Sequence, residues 1–311
     1  MMGKIPVLAV VGPTASGKTA LSVELALRCD GEIISADSMQ VYKHMDIATA
    51  KPTTEEKKGV PHYLMDLLEP TEEFSVARFC SLAKPLIADI SDRGKLPIIA
   101  GGTGLYVDSL LGNVDFTETE VDPDLRAELQ RELDEKGVDS MLELIRTFDP
   151  ESADRLAVGR NPKRILRCVE VYRSTGMTQT QLNAAQTAVE SPYAATKIGL
   201  TASDREYLYE RINRRVELML DMGLLDEARA FYHSSYGATA NAAIGYKELL
   251  PYLEGSLSLD ECVENLKRAT RRYAKRQLTW FRRDPAIHWY EIDRMSFEEI
   301  LGSALNLINK D

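Results

Sequence analysis

Residues 12–19 read Gly12-Pro13-Thr14-Ala15-Ser16-Gly17-Lys18-Thr19, which fits the spacing G-x-x-x-x-G-K-[ST]. The glycines let the backbone wrap so that successive N–H groups point inward, and the helix that follows adds partial positive charge at its start. Lys18 can then reach an outer phosphate as a point charge, while the Thr19 hydroxyl can sit on a Mg²⁺ that bridges phosphate oxygens. The flanks stand in the order this chemistry needs. Val7-Leu8-Ala9-Val10-Val11 is a β-branched apolar run that reads as a buried strand, and residues 19–27 place apolar side chains at helical spacing. The pattern points to a bound phosphate chain and leaves the reaction open.

A second candidate is Asp37. Residues 31–36 read as the next strand, and Asp37-Ser38-Met39-Gln40 falls at its carboxyl end, where open parallel sheets bind ligands. A carboxylate there can take a proton from a nucleophile, or it can simply cap a turn; position alone weighs the two equally. Residues 96–100 form a further strand ending in Gly101-Gly102-Thr103-Gly104. A second glycine loop facing the first suggests that backbone approaches a ligand closely, with the Thr103 hydroxyl in the cleft. Asp66 stands where a Walker-B carboxylate is sought, but the apolar run before it is short and interrupted by His62, so a structural role is expected.

Positive charge is gathered in two places. Arg164 and Arg167 share a helix face beside Arg160 and Lys163, with no acid before Glu170; a solvated face and a phosphate contact are both open. Residues 258–281 are the most basic stretch, with Lys267, Arg268, Arg271, Arg272, Lys275 and Arg276, then Arg282 and Arg283, interleaved with Tyr273, Trp280 and Phe281. RNA phosphates and unstacked bases select this mixture. The alternative is a helix packed through Leu278, Trp280 and Phe281 with its cations in solvent.

The elements that must position these residues change character along the chain. Helix 74–93, with Ser75 as its N-cap, and a strand within 62–68 extend the first pattern, and residues 105–111 read as a helix. From Asp122 strand signals fade: Asp122-Pro123 opens a helix to Lys136 with Gly137 as C-cap, and helices 140–148 and 161–173 follow. Residues 178–192 are polar and read as a loop, 196–200 as a strand returning to the core. Helices 204–220 and 221–232, a short helix ended by Gly255, and helix 258–281 complete the pattern. The 311 residues allow one large or two modest domains, and 44% hydrophobic with 28% charged residues is ordinary for a soluble protein. A net charge of −10 argues against indiscriminate nucleic-acid coating but not against one focused basic face. Cys29, Cys80, Cys168 and Cys262 lie far apart, so reduced thiols in the cytoplasm and no structural zinc are expected. No signal peptide and no membrane span is read.

Taken together these segments resemble the bacterial tRNA dimethylallyltransferases (tRNA isopentenyltransferases) over essentially the whole chain. The resemblance rests on residues 12–19, Ala36-Asp37-Ser38-Met39-Gln40-Val41-Tyr42, Met45-Asp46-Ile47-Ala48-Thr49-Ala50-Lys51-Pro52 and Gly101-Gly102-Thr103-Gly104-Leu105-Tyr106. It extends through Asn161-Pro162-Lys163-Arg164, Glu170-Val171-Tyr172, Ile244-Gly245-Tyr246-Lys247-Glu248 and Lys275-Arg276-Gln277-Leu278-Thr279-Trp280-Phe281-Arg282. The phosphate loop is common to many enzymes, whereas the joint set in this order is specific. No Cys/His zinc-finger extension of the eukaryotic kind follows, in keeping with the bacterial type.

The resemblance implies transfer of the dimethylallyl group from dimethylallyl diphosphate to N6 of the adenosine 3′-adjacent to the anticodon, position 37 of tRNA, with release of diphosphate. It implies an α/β P-loop NTPase-like core with a parallel sheet (residues 1–119 and 196–311) and a helical insertion (120–195) that grips the anticodon stem. Asp37, Thr103 and Lys18 would be catalytic. Gly12, Thr14, Ala15, Ser16, Gly17, Lys18, Thr19 and Arg215 would hold the diphosphate, with Mg²⁺ on Thr19. The tRNA would meet Asp37, Ser38, Met39, Gln40, Thr103, Arg126, Lys163, Arg164, Arg167, Gly245, Tyr246, Lys247, Lys275, Arg276, Gln277, Thr279, Trp280 and Arg282. A cytoplasmic monomer without membrane attachment is expected. The family usually has Gln at position 163, Ala at 168 and Gly at 48, where this chain has Lys163, Cys168 and Ala48, and Lys247 is a familiar variant of Arg. Rival readings are an adenylate isopentenyltransferase, a P-loop small-molecule kinase, and an RNA-binding protein without chemistry.

Overall fold

Ile5–Val11 (β1) is buried at five consecutive positions, which a strand achieves only when both sheet faces are covered. The computed structural model describes residues 3–114, 122–187, 190–232, 236–237 and 239–309. Two compact units divide the chain: Met1–Leu111 with Pro192–Asp311, and Gly112–Ser191. The expected boundary at 119/120 lies outside the described residues, and the one at 195/196 falls inside a strand that already begins at Tyr193.

After β1 the first unit runs α1 (Lys18–Arg28), β2 (Gly31–Ser35), α2 (Thr54–Lys57), β3 (His62–Tyr63), α3 (Val76–Asp92), β4 (Leu96–Gly101) and α4 (Gly104–Leu111). The second unit contributes α5 (Pro123–Phe148), α6 (Pro150–Gly159), α7 (Pro162–Thr175) and α8 (Gln179–Thr187). The first unit resumes with β5 (Tyr193–Thr201), α9 (Arg205–Asp221), α10 (Leu224–Tyr232), α11 (Tyr246–Leu253), α12 (Leu259–Phe281), β6 (Ile287–Glu291) and α13 (Phe297–Ile308). The described strands form one sheet in the order β3-β2-β4-β1-β5-β6, parallel at every pairing.

Alternation along the strands assigns the two faces. Leu8, Val10, Ile33, Ile98, Ile198 and Leu200 point to one side, where Leu21, Leu25 and Ala26 of α1 and Ile300, Leu301 and Ala304 of α13 complete a core. On the other side α3 packs on β1, β2 and β4 through its buried row Phe79, Cys80, Ala83, Ile87 and Ile90. This is the expected α/β arrangement of a parallel sheet between helices. Because β2, β4 and β1 are neighbours, the loops after these three strands all emerge side by side at one sheet edge.

Several elements depart from expectation. Only His62–Tyr63 of the 62–68 stretch is strand; Leu64 and Asp66 have φ of 61° and 52°, a left-handed backbone that ends pairing. The 178–192 segment was expected to be loop but holds α8, where Thr178 and Gln181 form a reciprocal cap: the Gln181 N–H donates to Thr178 Oγ1 at 3.1 Å and the Thr178 N–H to Gln181 Oε1 at 2.9 Å. The helix α6 was not anticipated, nor were β6 and α13 beyond residue 283. Within α5, Gly137 (φ 77°, ψ 170°) breaks the helix where the C-cap was placed.

The second unit has its own core, in which Leu129, Leu133, Met141, Leu142 and Ile145 of α5 meet Ile165, Leu166 and Val169 of α7. All four cysteines are free. No helix among the described residues is long and apolar enough to cross a membrane.

Candidate functional site

The loop after β1 is shaped by three backbone facts. Gly12 has φ 143°, and a Cβ there would stand 2.5 Å from the Leu200 carbonyl oxygen, so only glycine fits beside β5. Gly17 starts α1 in the left-handed region (φ 92°). Ala15 is also left-handed (φ 62°), and its carbonyl accepts Arg211 Nε at 2.8 Å, which fixes the loop from α9.

This loop borders a cavity of about 260 Å³. Thr14, Lys18, Thr19, Asp37, Ser38, Met39, Gln40, Arg215, Gly245, Lys247, Arg276 and Gln277 line it, twelve of the residues named from sequence. Lys18 Nζ donates to the Pro13 carbonyl at 2.6 Å. Burial, then the nearby Arg215 guanidinium, pull the Lys18 ammonium down to about 7, against the opposing pull of Asp37. Burial likewise lowers Arg215.

Asp37 caps a turn and still borders the cavity. Its Oδ1 accepts the Met39 N–H at 2.8 Å and the Gln40 N–H at 3.4 Å, a turn cap. Among the described residues its other oxygen makes no hydrogen bond, and Asp37 lines the cavity. Burial raises its pKa above the usual carboxylate range, opposed by the Met39 N–H and Lys18. A partly desolvated carboxylate with one oxygen anchored and a raised pKa is a stronger base than one in water.

Gly101 and Gly102 of the glycine loop after β4 line the same cavity, and the loop is also packed closely on protein. A Cβ at Gly101 would stand 2.2 Å from the Ala36 carbonyl oxygen, at Gly102 2.0 Å from Gln277 Nε2, and at Gly104 2.1 Å from Trp280 Cδ1. Thr103 does not line the cavity. Its hydroxyl accepts the Ser38 N–H at 3.1 Å, bracing the residue beside Asp37.

The wall opposite is the 45–52 segment, whose Ala48, Thr49, Ala50 and Pro52 line the cavity. One carboxylate holds it. Glu227 of α10 accepts the N–H groups of Asp46, Ile47 and Ala48 at 2.8–2.9 Å, and the Tyr246 hydroxyl at 2.9 Å. Gln40 bonds Ser35 and the carbonyls of Thr49 and Ala50. Lys51, almost fully buried, meets Asp46, Asp66 and the Tyr42 carbonyl, which gives Asp66 the structural role expected of it. Met65, Val216, Met219, Leu224 and Leu266 add an apolar part to the lining.

The other named residues fall elsewhere. Tyr246 is buried against Glu227, and Gln277 is 5% exposed with both amide ends engaged. Trp280 donates to Asp108 at 2.6 Å under the Arg283 guanidinium, 4.0 Å from the ring centroid. Lys275, Arg276, Thr279 and Arg282 are exposed along α12 and its cap. Arg126, Lys163, Arg164 and Arg167 belong to the second unit, where buried Glu170 brings Arg126 (3.1 Å) and Arg167 (2.8 Å) together. Lys163 and Arg164 are exposed at the start of α7. Tyr273 was missed as a site residue, although it lines the cavity; its signal was the four-residue spacing to Gln277, which puts both on one helical face.

The IPP transferase family model matches residues 40–284, and the isopentenyl transferase model residues 5–68. The tRNA dimethylallyltransferase of Acetivibrio thermocellus is 49% identical over 296 residues, 94% of each chain. That of Bacillus licheniformis is 49% identical over 290 residues, 93% of this chain and 91% of its own. Among solved structures, the tRNA isopentenylpyrophosphate transferase of Bacillus halodurans aligns with a TM-score of 0.73 at 42% identity, covering 99% of this chain and 98% of that one. A eukaryotic dimethylallyltransferase crystallised acting on tRNA aligns at 0.83 with 28% identity, covering 98% of this chain and 80% of that one.

Proposed function

This chain belongs to the IPP transferase family, and on that premise we propose that it moves the dimethylallyl group of dimethylallyl diphosphate onto N6 of the adenosine 3′-adjacent to the anticodon of tRNA. The observation that carries the proposal is one cavity in which Lys18, Thr19 and Arg215 meet the Asp37 carboxylate, with an apolar wall alongside. The diphosphate lies against the loop of residues 12–19. As the allylic C–O bond breaks, negative charge grows on the leaving oxygen, and Lys18 and Arg215 are placed to stabilise it. The prenyl tail lies against Met65, Val216 and Met219.

The exocyclic amine of adenine is a weak nucleophile because its lone pair is delocalised into the ring. Asp37 accepts its proton as the new C–N bond forms, using the oxygen left open by the turn cap. Thr103 acts behind it, through Ser38, rather than on the nucleotide. Thr19, beside Lys18 at the cavity, offers the hard oxygen that Mg²⁺ prefers, and would hold the ion together with phosphate oxygens. Bound there, Mg²⁺ supplies charge neutralisation for the departing diphosphate.

The amine is buried in the stacked anticodon loop, so the base must be extruded into the cavity. The exposed cations of α12 and the arginines of the second unit then meet the phosphate backbone. The enzyme works as a monomer in the cytoplasm, where its tRNA is found. A free-nucleotide isopentenyltransferase or a kinase would leave both basic groups without a role.

The test is transfer of labelled dimethylallyl from its diphosphate, with Mg²⁺, to unmodified tRNA, beside AMP and a no-acceptor control. Label in tRNA alone is expected. Label in AMP, or ATP consumption without transfer, overturns the proposal. Asp37→Asn should keep tRNA affinity and lose about 10²–10⁴ in turnover, the usual worth of a general base.

A further inference from the structure

We infer that Gln277 is a positioning residue for the transfer, fixing the phosphate loop against the β4 glycine loop, and not a contact to RNA. The inference rests on the transferase reading above. Gln277 sits on α12, whose neighbouring cations face solvent, yet it is 5% exposed and turned inward. Its Oε1 accepts the Thr14 N–H at 2.9 Å, and its Nε2 donates to the Gly102 carbonyl at 3.0 Å.

The two partners need opposite polarity. Thr14 offers a donor and Gly102 an acceptor, and a primary amide is the side-chain group that answers both from one plane. Glutamate answers only the first, and lysine or arginine only the second. The space is closed as well, since a Cβ on Gly102 would stand 2.0 Å from Gln277 Nε2. Gly102 is followed directly by Thr103, whose N–H donates to the Ala36 carbonyl at 3.2 Å and whose hydroxyl accepts the Ser38 N–H at 3.1 Å. A continuous connection therefore runs from the phosphate loop through Gln277 and the β4 glycine loop to the residues on either side of Asp37.

That connection sets the distance between the leaving group and the base. Transfer requires the two within a few tenths of an ångström of a productive geometry, and rate is lost steeply when the spacing slips. The Thr14 N–H is engaged by Gln277, so the clamp fixes the loop at the cavity wall itself.

The experiment compares wild type, Gln277→Met and Gln277→Glu. Met keeps the volume and removes both bonds; Glu keeps the shape and sets an oxygen against the Gly102 carbonyl. Measured are steady-state kinetics normalised to active-site concentration, tRNA affinity without donor, and affinity for inorganic diphosphate with Mg²⁺. Expected are a kcat at least tenfold lower in both variants, a diphosphate affinity about tenfold weaker, and a tRNA dissociation constant within twofold of wild type. A merely structural role would lower the active fraction and leave normalised kcat unchanged, which overturns the inference. So does a tenfold loss of tRNA affinity with kcat retained, since that marks an RNA contact. If the wild type moves no label to tRNA, the transferase reading has failed, and unchanged diphosphate affinity in the variants would separately refute the clamp.

Discussion

Glu32 offers a prediction whose size can be worked from contacts. It lies on β2, five residues before Asp37, and its side chain is 3% exposed. Arg93 forks onto it at 2.7 and 2.6 Å, Lys95 reaches it at 2.9 Å and the Tyr63 hydroxyl at 2.7 Å. The Arg93 hydrogen bonds, then those from Lys95 and Tyr63, outweigh burial and bring its pKa from 4.5 to about 2. That difference corresponds to about 3 kcal/mol at most. Arg93 is 38% exposed, so screening by solvent reduces the expected value to about 2 kcal/mol. The sign follows from the direction. A folded pKa below the unfolded one gives stability that is complete above about pH 5 and is lost as pH falls through the folded value.

Glu32→Gln should therefore be less stable than wild type by about 2 kcal/mol at pH 7. The gap should hold to about pH 5 and shrink to about three-fifths of its titrating part by pH 3.5. Urea unfolding followed by tryptophan fluorescence reads the relevant unit, because both tryptophans, Trp280 and Trp289, lie in it. A gap that stays constant from pH 7 to pH 3.5, or widens toward acid, would refute the assignment of the stabilisation to an ionised Glu32.

Glu227→Ala leaves three consecutive backbone N–H groups of the cavity wall without their acceptor. It should cost about 2–3 kcal/mol and raise KM for the diphosphate donor about tenfold while sparing tRNA binding; thermal melts and steady-state kinetics check it, and an unchanged donor KM would sink it. Gly104→Ala drives a methyl group against Trp280 and should destabilise by about 1–3 kcal/mol. Gly302→Ala on α13, which meets nothing within 4 Å, should be neutral or stabilising by up to about 1 kcal/mol. Equal melting shifts in the two glycine variants would contradict the packing described for α12.

What the residues announced in advance was mostly local. The strand, loop and helix around Lys18 are written in a continuous apolar run, two glycines and a helical repeat, and all three stand where those signals put them. Asp122-Pro123 and Asn161-Pro162 mark helix starts for a stated reason, a side-chain cap beside a residue that lacks a donor. Asp149-Pro150 carries the same signal and does open α6. The C-terminal helix α13 was equally legible in Ser296 and Glu299, a reciprocal cap ahead of an apolar face. The polar composition of residues 179–187 hid α8, because a helix with a weak apolar face leaves little but its cap to read.

What could not be read was long-range. Nothing near Gly102 or Gly104 says that their missing side chains make room for Gln277 and Trp280, since that crowding exists only once α12 is docked. The same holds for Glu227, whose acidic neighbour Asp226 on α10 gives no sign that the Glu227 carboxylate closes a loop about 180 residues earlier. Gln277 and Tyr246 sit in stretches rich in RNA-binding residue types, and only the inward turn of their side chains separates them from those neighbours.

The clamp on the phosphate loop joins residues 263 positions apart. A contact of that span closes late, because the chain must lose the entropy of the whole intervening loop before any bond is gained. During synthesis the first strand and its glycine loop leave the ribosome long before α12 exists, and β1 must also wait for β5 to cover its second edge. The site proposed for the diphosphate thus takes its working shape only after α12 has docked. A chain shortened before residue 277 keeps every letter of the phosphate-binding motif and lacks the side chain that holds it in place.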